Sequence, residues 1–132
     1  MKRAVIDSYT VLAFLFKEKG HEKVLGLFEW AAKNNKTHLV STVNWAEIRY
    51  IVQRRTNAKR WFDVRNKLLG LPIEIIDSDQ SLAELAGEFK ATNKMSLADC
   101  FAAALAKQRK MEIYTGDPEF RTVETEIKIH WL

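Results

Sequence analysis

The chain has 132 residues, 47% of them hydrophobic, which suits one domain with a real core. Its formal net charge of +4 favours polyanionic partners without naming one, and its single cysteine, Cys100, excludes an intrachain disulfide and fits a reducing compartment. The histidines, His21, His38 and His130, are scattered and give no zinc pattern, and the apolar stretch from Val11 to Phe16 is far shorter than the ~20 residues that span a bilayer. Met1-Lys2-Arg3 runs straight into an apolar segment with no signal-peptide layout. A single cytoplasmic domain covering residues 1–132, with no membrane association, is the expectation.

In chain order, Ala4-Val5-Ile6 reads as a short buried strand. Ser8 is expected to cap a helix carrying Leu12, Leu15 and Phe16 on one stripe, and Gly20 ends it. A second helix runs from about His21 to Asn34, followed by an Asn34-Asn35-Lys36 turn and a strand from Thr37 to Ser41. Thr42 is the expected cap of a helix bearing Val43, Ala46, Glu47, Tyr50 and Ile51 on one side. After Thr56-Asn57 another helix continues to Leu69, stopped by Gly70 and Pro72. Ile73 to Ile76 is a third strand, and Ser78 or Asp79 caps the helix through Leu82, Leu85, Ala86 and Phe89. Ser96 opens an alanine-rich helix to Lys110, Glu112 to Tyr114 is a fourth strand, and Ile127 to Ile129 a short fifth. Strands alternating with helices imply an α/β fold: a central, mainly parallel sheet of four to five strands flanked by helices in three layers. Right-handed crossovers then bring all strand carboxyl ends to one edge, where such sheets bind ligands.

Four carboxylates fall at or near those ends: Asp7, Glu47, Asp99 and Asp117. Taken singly, each has a structural role open to it. Asp7 is a turn residue or helix cap beside Ser8. Gly116-Asp117-Pro118 reads as a turn, a cap and a first-position proline. Asp99 suits the first turn of a helix through the macrodipole. Glu47, between Val43, Asn44, Tyr50 and Ile51, is costly on a partly apolar stripe unless Arg54 pairs with it. Gathered together, the four repel one another, which raises the pKa of at least one and destabilises the empty site. A hard divalent cation, Mg²⁺ or Mn²⁺, removes that penalty and leaves positions for substrate. Thr115 and Ser8 are the candidate supporting hydroxyls. Asp77 and Asp79 also follow a strand and are assigned to capping, with Ser78, Ser81 and Glu84.

At these residues the chain resembles the PIN-domain family. The resemblance rests on Val5-Ile6-Asp7-Ser8, on Asn44-Trp45-Ala46-Glu47, on Ser96-Leu97-Ala98-Asp99-Cys100-Phe101-Ala102-Ala103, and most specifically on Thr115-Gly116-Asp117-Pro118-Glu119-Phe120. It spans essentially the whole chain, and the length resembles that of the stand-alone VapC-type toxins of VapBC toxin–antitoxin pairs. It implies an Mg²⁺- or Mn²⁺-dependent ribonuclease with Asp7, Glu47, Asp99 and Asp117 as the acidic set and Thr115 in support. It also implies a homodimer and a VapB-like antitoxin partner. Cys100, where Ala is usual, and Tyr9, where a small polar residue is frequent, depart from the pattern.

An RNA substrate calls for a cationic track. Arg49, Arg54, Arg55, Lys59, Arg60, Arg65 and Lys67 lie within one stretch against a single acid, Asp63. Of these, Arg49, Arg54, Arg55, Lys59 and Arg60 are the candidate RNA contacts. Trp61 and Phe62 read as core or dimer contacts, as do Trp30, Trp45 and Trp131, and Cys100 as a packing residue. Two other readings compete. One is a degenerate module that binds RNA or a partner without cutting. The other is an aspartyl phosphotransferase using Asp7, which would want a second Asp where Tyr9 stands.

Overall fold

The computed structural model describes all residues, Met1–Leu132. Five strands form one sheet: β1 (Val5–Ile6), β2 (His38–Ser41), β3 (Ile73–Ile76), β4 (Ile113–Thr115) and β5 (Ile129–Trp131). Their spatial order is β3-β2-β1-β4-β5, and every neighbouring pair is parallel. Six helices connect them: α1 (Ser8–Leu15), α2 (His21–Lys33), α3 (Thr42–Arg55), α4 (Ala58–Leu69), α5 (Gln80–Thr92) and α6 (Leu97–Arg109). A 3-10 helix (Pro118–Val123) follows β4. No helix is long and apolar enough to cross a membrane.

Strand alternation divides the core into two layers. Val5, Leu39 and Ile113 face α5, α6 and the 3-10 helix, packing with Phe89, Leu105 and Phe120. Ile6 and Val40 face the opposite side and pack with Val24, Phe28, Ile48 and Trp61 from α2, α3 and α4. The alanines Ala102, Ala103, Ala104 and Ala106 are all fully buried, so α6 lies close against the sheet and α5. His38 is buried as a neutral ring. It accepts from the Ala4 amide at Nδ1 (3.2 Å), sits 3.0 Å from the Leu27 carbonyl at Nε2, and its pKa is lowered by burial.

The chain runs outward from β1 to β2 and β3, then returns across the sheet to β4. The strand order therefore reverses between β1 and β4, and a crevice opens at their carboxyl ends. Ile6 pairs with Tyr114, which brings the next residues, Asp7 and Thr115, side by side.

Three local expectations need correction. The side chain capping α1 is Asp7, not Ser8, because the buried Ser8 hydroxyl is engaged by Asn44. The cap of α3 is Ser41, not Thr42, whose hydroxyl donates to Ser78 instead. The last strand is Ile129–Trp131 rather than Ile127 to Ile129, because Ile127 closes the preceding turn on the Val123 carbonyl. Asp79 and Ser96 cap α5 and α6 as expected.

Candidate active site

Asp7 lies where β1 ends and α1 begins, and it is fully buried. One carboxylate oxygen accepts the Thr10 amide at 3.0 Å as a helix cap, and the other accepts the Thr115 hydroxyl at 2.5 Å. The Thr10 hydroxyl donates in turn to the Tyr114 carbonyl, so α1 is tied to β4 as well. Burial raises the Asp7 pKa from 3.8 to about 6 against the lowering effect of the Thr115 hydroxyl, with the charge of Asp117 adding to the rise.

Asp117 caps the 3-10 helix. Its amide donates to Thr115 Oγ1 at 3.0 Å, and its Oδ1 accepts the Glu119 amide at 2.9 Å. Pro118 takes the first helical position, which needs no amide donor. Asp99 sits in the first turn of α6, with its amide on the Ser96 hydroxyl at 3.2 Å. Its side chain is 4% exposed, and Oδ2 is buried with no hydrogen-bond partner. An orphaned buried carboxylate oxygen is expensive, and such atoms are rare in folded proteins. Burial, first, pushes the Asp99 pKa up to about 9, followed by the Glu119 carboxylate and the charges of Asp117 and Asp7.

Glu119 is the acid that the sequence did not single out as a site residue. Its Oε1 accepts the Ser96 amide at 3.0 Å, bracing the start of α6 from the 3-10 helix. Oxygens of Asp99, Asp117 and Glu119 all lie within 4.8 Å of one another. No ion pair neutralises any of these acids or Asp7. Three clustered carboxylates, one of them with an unpaired buried oxygen, suit a hard divalent cation, and they offer nothing to a soft metal.

Glu47 stands apart from that three-acid group. It is half-buried on α3 and accepts the Tyr50 hydroxyl at 3.2 Å. The pairing with Arg54 that the sequence left open does not form; that guanidinium lies 4.9 Å from the Tyr50 ring centroid. Ser8 is buried and faces Asn44, donating to its carbonyl at 3.2 Å and accepting from Nδ2 at 3.1 Å, so its hydroxyl does not stand free beside the acids. Asn44 also donates to the Ala98 carbonyl and accepts from the Ser41 hydroxyl. This one fully buried amide ties together α1, α3 and the residue before Asp99. The only sequence signal for it was its place one turn before Glu47.

Of the candidate cations, Arg49 lies 5.9 Å from the Trp61 ring centroid and 5.7 Å from that of Phe62. With Ala46, Tyr50, Gln53 and Arg54 it lines an open hollow of about 440 Å³ beside Glu47. Arg55 pairs with Glu18 at 3.6 Å, and Lys59 and Arg60 are exposed at the start of α4. Trp61 is core, in edge contact with Trp45, whereas Phe62 is exposed.

A family model described as the PIN domain matches residues 4–126. A comparison with curated protein sequences finds no significant match. Among solved structures, the fold is similar to a chain of VapBC2 from Rickettsia felis bound to a DNA fragment from their promoter, with a TM-score of 0.78, 18% identity and 99% of each chain covered. DNA-bound VapBC from Salmonella typhimurium is similar with a TM-score of 0.76, 18% identity and 98% coverage of each chain. Mycobacterium tuberculosis VapC20, a sarcin-ricin loop cleaving toxin, follows with a TM-score of 0.73 and 18% identity, covering 91% of this chain and 94% of its own. With the acids at the β1/β4 crevice and a family model covering nearly the full length, the chain belongs to the PIN domain family.

Proposed function

We propose that this protein is a metal-dependent endoribonuclease that hydrolyses RNA phosphodiester bonds, and that it is the toxin of a type II toxin–antitoxin pair. The observation that carries the proposal is the buried Asp99 carboxylate, whose Oδ2 has no hydrogen-bond partner and which lies within 4.8 Å of the Asp117 and Glu119 carboxylates. A bound Mg²⁺ or Mn²⁺ would supply Lewis-acid polarisation of the scissile phosphate and a lowered pKa for water.

Asp99, Asp117 and Glu119 would hold the ion, with Asp7 next to them. Thr115 fixes both Asp7 and the Asp117 backbone, so two of the acids keep their places through one hydroxyl. Asn44 ties α3 to α6, and Glu47, one turn further along α3, would orient the attacking water or serve as a further ligand. In-line addition of water to phosphorus breaks the bond to the 3′ oxygen, which leaves as a hydroxyl; the 5′ phosphate stays on the other fragment. No histidine is needed.

Arg49 and Arg54, beside Glu47 and free of carboxylate partners, suit the RNA backbone, with Lys59, Arg60 and Arg55 extending the cationic track. A VapB-like antitoxin is the proposed protein partner, and the fold's likeness to chains from VapBC complexes supports it. A homodimer in the cytoplasm is the proposed state. Exposed Tyr50, Phe62 and Leu69 offer apolar surface to either protein partner.

The decisive assay incubates purified protein with RNA and Mn²⁺. Cleavage by the wild type, abolished by EDTA and by Asp7→Asn, is the expected result. Cleavage that survives both would assign it to a contaminant and remove the support for this reading. A degenerate binding module would bind RNA and leave it intact.

A further inference from the structure

Tyr9 lies two residues beyond Asp7, in the first turn of α1, and is 41% exposed. Its ring rests against Gly116, the residue between Thr115 and Asp117. A Cβ built on Gly116 would come within 2.3 Å of Tyr9 Cε1 and 2.8 Å of Cζ. Only glycine admits this approach, so the ring is seated directly on the loop that carries two site residues. No intramolecular hydrogen bond engages the Tyr9 hydroxyl, in contrast to Ser8 and Thr10 on either side. The rest of the ring, with Leu12, lines a hollow of about 310 Å³ whose other walls are Glu18, Lys19 and Arg55. That volume lies at the small end of ligand clefts, roughly 300–1,000 Å³.

We propose that this hollow is a nucleobase subsite, in which Tyr9 stacks on an unpaired base next to the cleaved phosphate and Lys19 and Arg55 meet the phosphate that follows it. The proposal rests on RNA being the substrate. The chemistry divides as a nucleotide does, with an aromatic and aliphatic wall for the base and two cations against one acid for its phosphate. Arg55 is held in place by Glu18 at 3.6 Å and by the Phe16 ring at 4.6 Å, so it presents a preset charge. The subsite is continuous with the acids, because Tyr9 touches the loop between Thr115 and Asp117. A base held there would fix the register of the strand over the catalytic carboxylates, so that Tyr9 selects which bond is cut. Stacking is tolerant of base identity, so the selection is for an unpaired base rather than for one sequence.

The test is metal-free binding of a short fluorescein-labelled single-stranded RNA of mixed sequence, in EDTA, measured by anisotropy. Tyr9→Phe should bind as wild type. Tyr9→Ala and Tyr9→Leu should both weaken binding about fivefold or more, the leucine keeping an apolar contact with Gly116 but losing the ring face. A series of RNAs with one abasic position should reveal a single position at which base removal weakens the wild type by the same factor and Tyr9→Leu not at all. Melting temperatures near that of wild type would exclude misfolding for Tyr9→Leu. Unchanged RNA affinity in Tyr9→Leu, or an abasic penalty equal in wild type and variant, would overturn the proposal and leave the hollow to a protein segment. Absence of Mn²⁺-dependent cleavage by the wild type would count against the nuclease reading alone, because the stacking result is read from binding.

Discussion

The Thr115 hydroxyl donates to Asp7 across 108 residues of sequence and accepts the Asp117 amide at the same oxygen. One side chain at the end of β4 therefore fixes an acid on β1 and an acid on the following loop. Replacing it with Val keeps the shape and removes both bonds, leaving a buried carboxylate oxygen and an amide without partners. Thr115→Val is expected to lower stability by about 1–3 kcal/mol in urea denaturation, while Thr115→Ser keeps most of it. Equal losses in the two variants would show that the methyl packing, not the hydroxyl, carries the effect.

Asp99 is a buried acid with one oxygen left without a hydrogen-bond partner. Asp99→Asn removes a buried group that ionises against Asp117 and Asp7. The metal-free variant is expected to melt no lower than wild type, and the rise in melting temperature on adding Mn²⁺ should shrink. A large loss of stability without metal would identify Asp99 as a framework residue.

The acids also set a pH dependence. Unfolded, Asp7 and Asp99 release their protons near 3.8; folded, they hold them to about 6 and about 9. Between those values the folded chain binds more protons, so raising the pH removes stability. Their contribution is complete below pH 3.8 and is lost as pH rises through 6 and then 9. For the fully buried Asp7 the change is about 3 kcal/mol. Metal-free protein should therefore melt progressively lower from pH 5 to pH 9. Saturating Mg²⁺ should flatten the decline, and calorimetry over that range checks both.

Several of these features were legible in the chain. The strand-helix alternation gave the parallel sheet, and Asp7, Asp99 and Asp117 stood out because each adjoins a strand end or a helix start. In Asp7 the two roles left open coincide in part, because the same carboxylate caps α1 and reaches the site hydroxyl. Glu119 was quoted within its motif but not assigned. Its reach to Ser96 exists only once α6 packs against the 3-10 helix. Asn44 was hidden for a similar reason, as its partners lie on α1 and α6. The last strand was placed two residues early because Ile127, Ile129 and Trp131 share one alternation, and only the turn closed by Ile127 fixes where pairing begins.

Asn44 gives its own test. Asn44→Ala removes the side-chain bonds to the Ser8 and Ser41 hydroxyls and to the Ala98 carbonyl, leaving that carbonyl without this donor while both hydroxyls keep their bonds to the Asn44 backbone. A loss of about 1–3 kcal/mol is expected, together with weaker Mn²⁺ binding by calorimetry, because α6 and its Asp99 lose their tie to α3. Unaltered metal affinity at reduced stability would confine Asn44 to the framework.

The cationic track should show in salt dependence. RNA binding is expected to weaken linearly in log-log form, with a slope of roughly 0.7 for each phosphate neutralised. Arg49→Ala and Arg54→Ala should each reduce that slope by about one such step. A slope unchanged in both variants would remove them from the interface.

The central claim is that carboxylates from α6 and from the loop after β4 share one cation. Anomalous diffraction from crystals grown with Mn²⁺ tests it most directly. A peak bounded by oxygens of Asp99, Asp117 and Glu119, absent in Asp99→Asn, is the expected result. A fully substituted crystal with no density between those oxygens, or with Mn²⁺ bound only elsewhere, would contradict it.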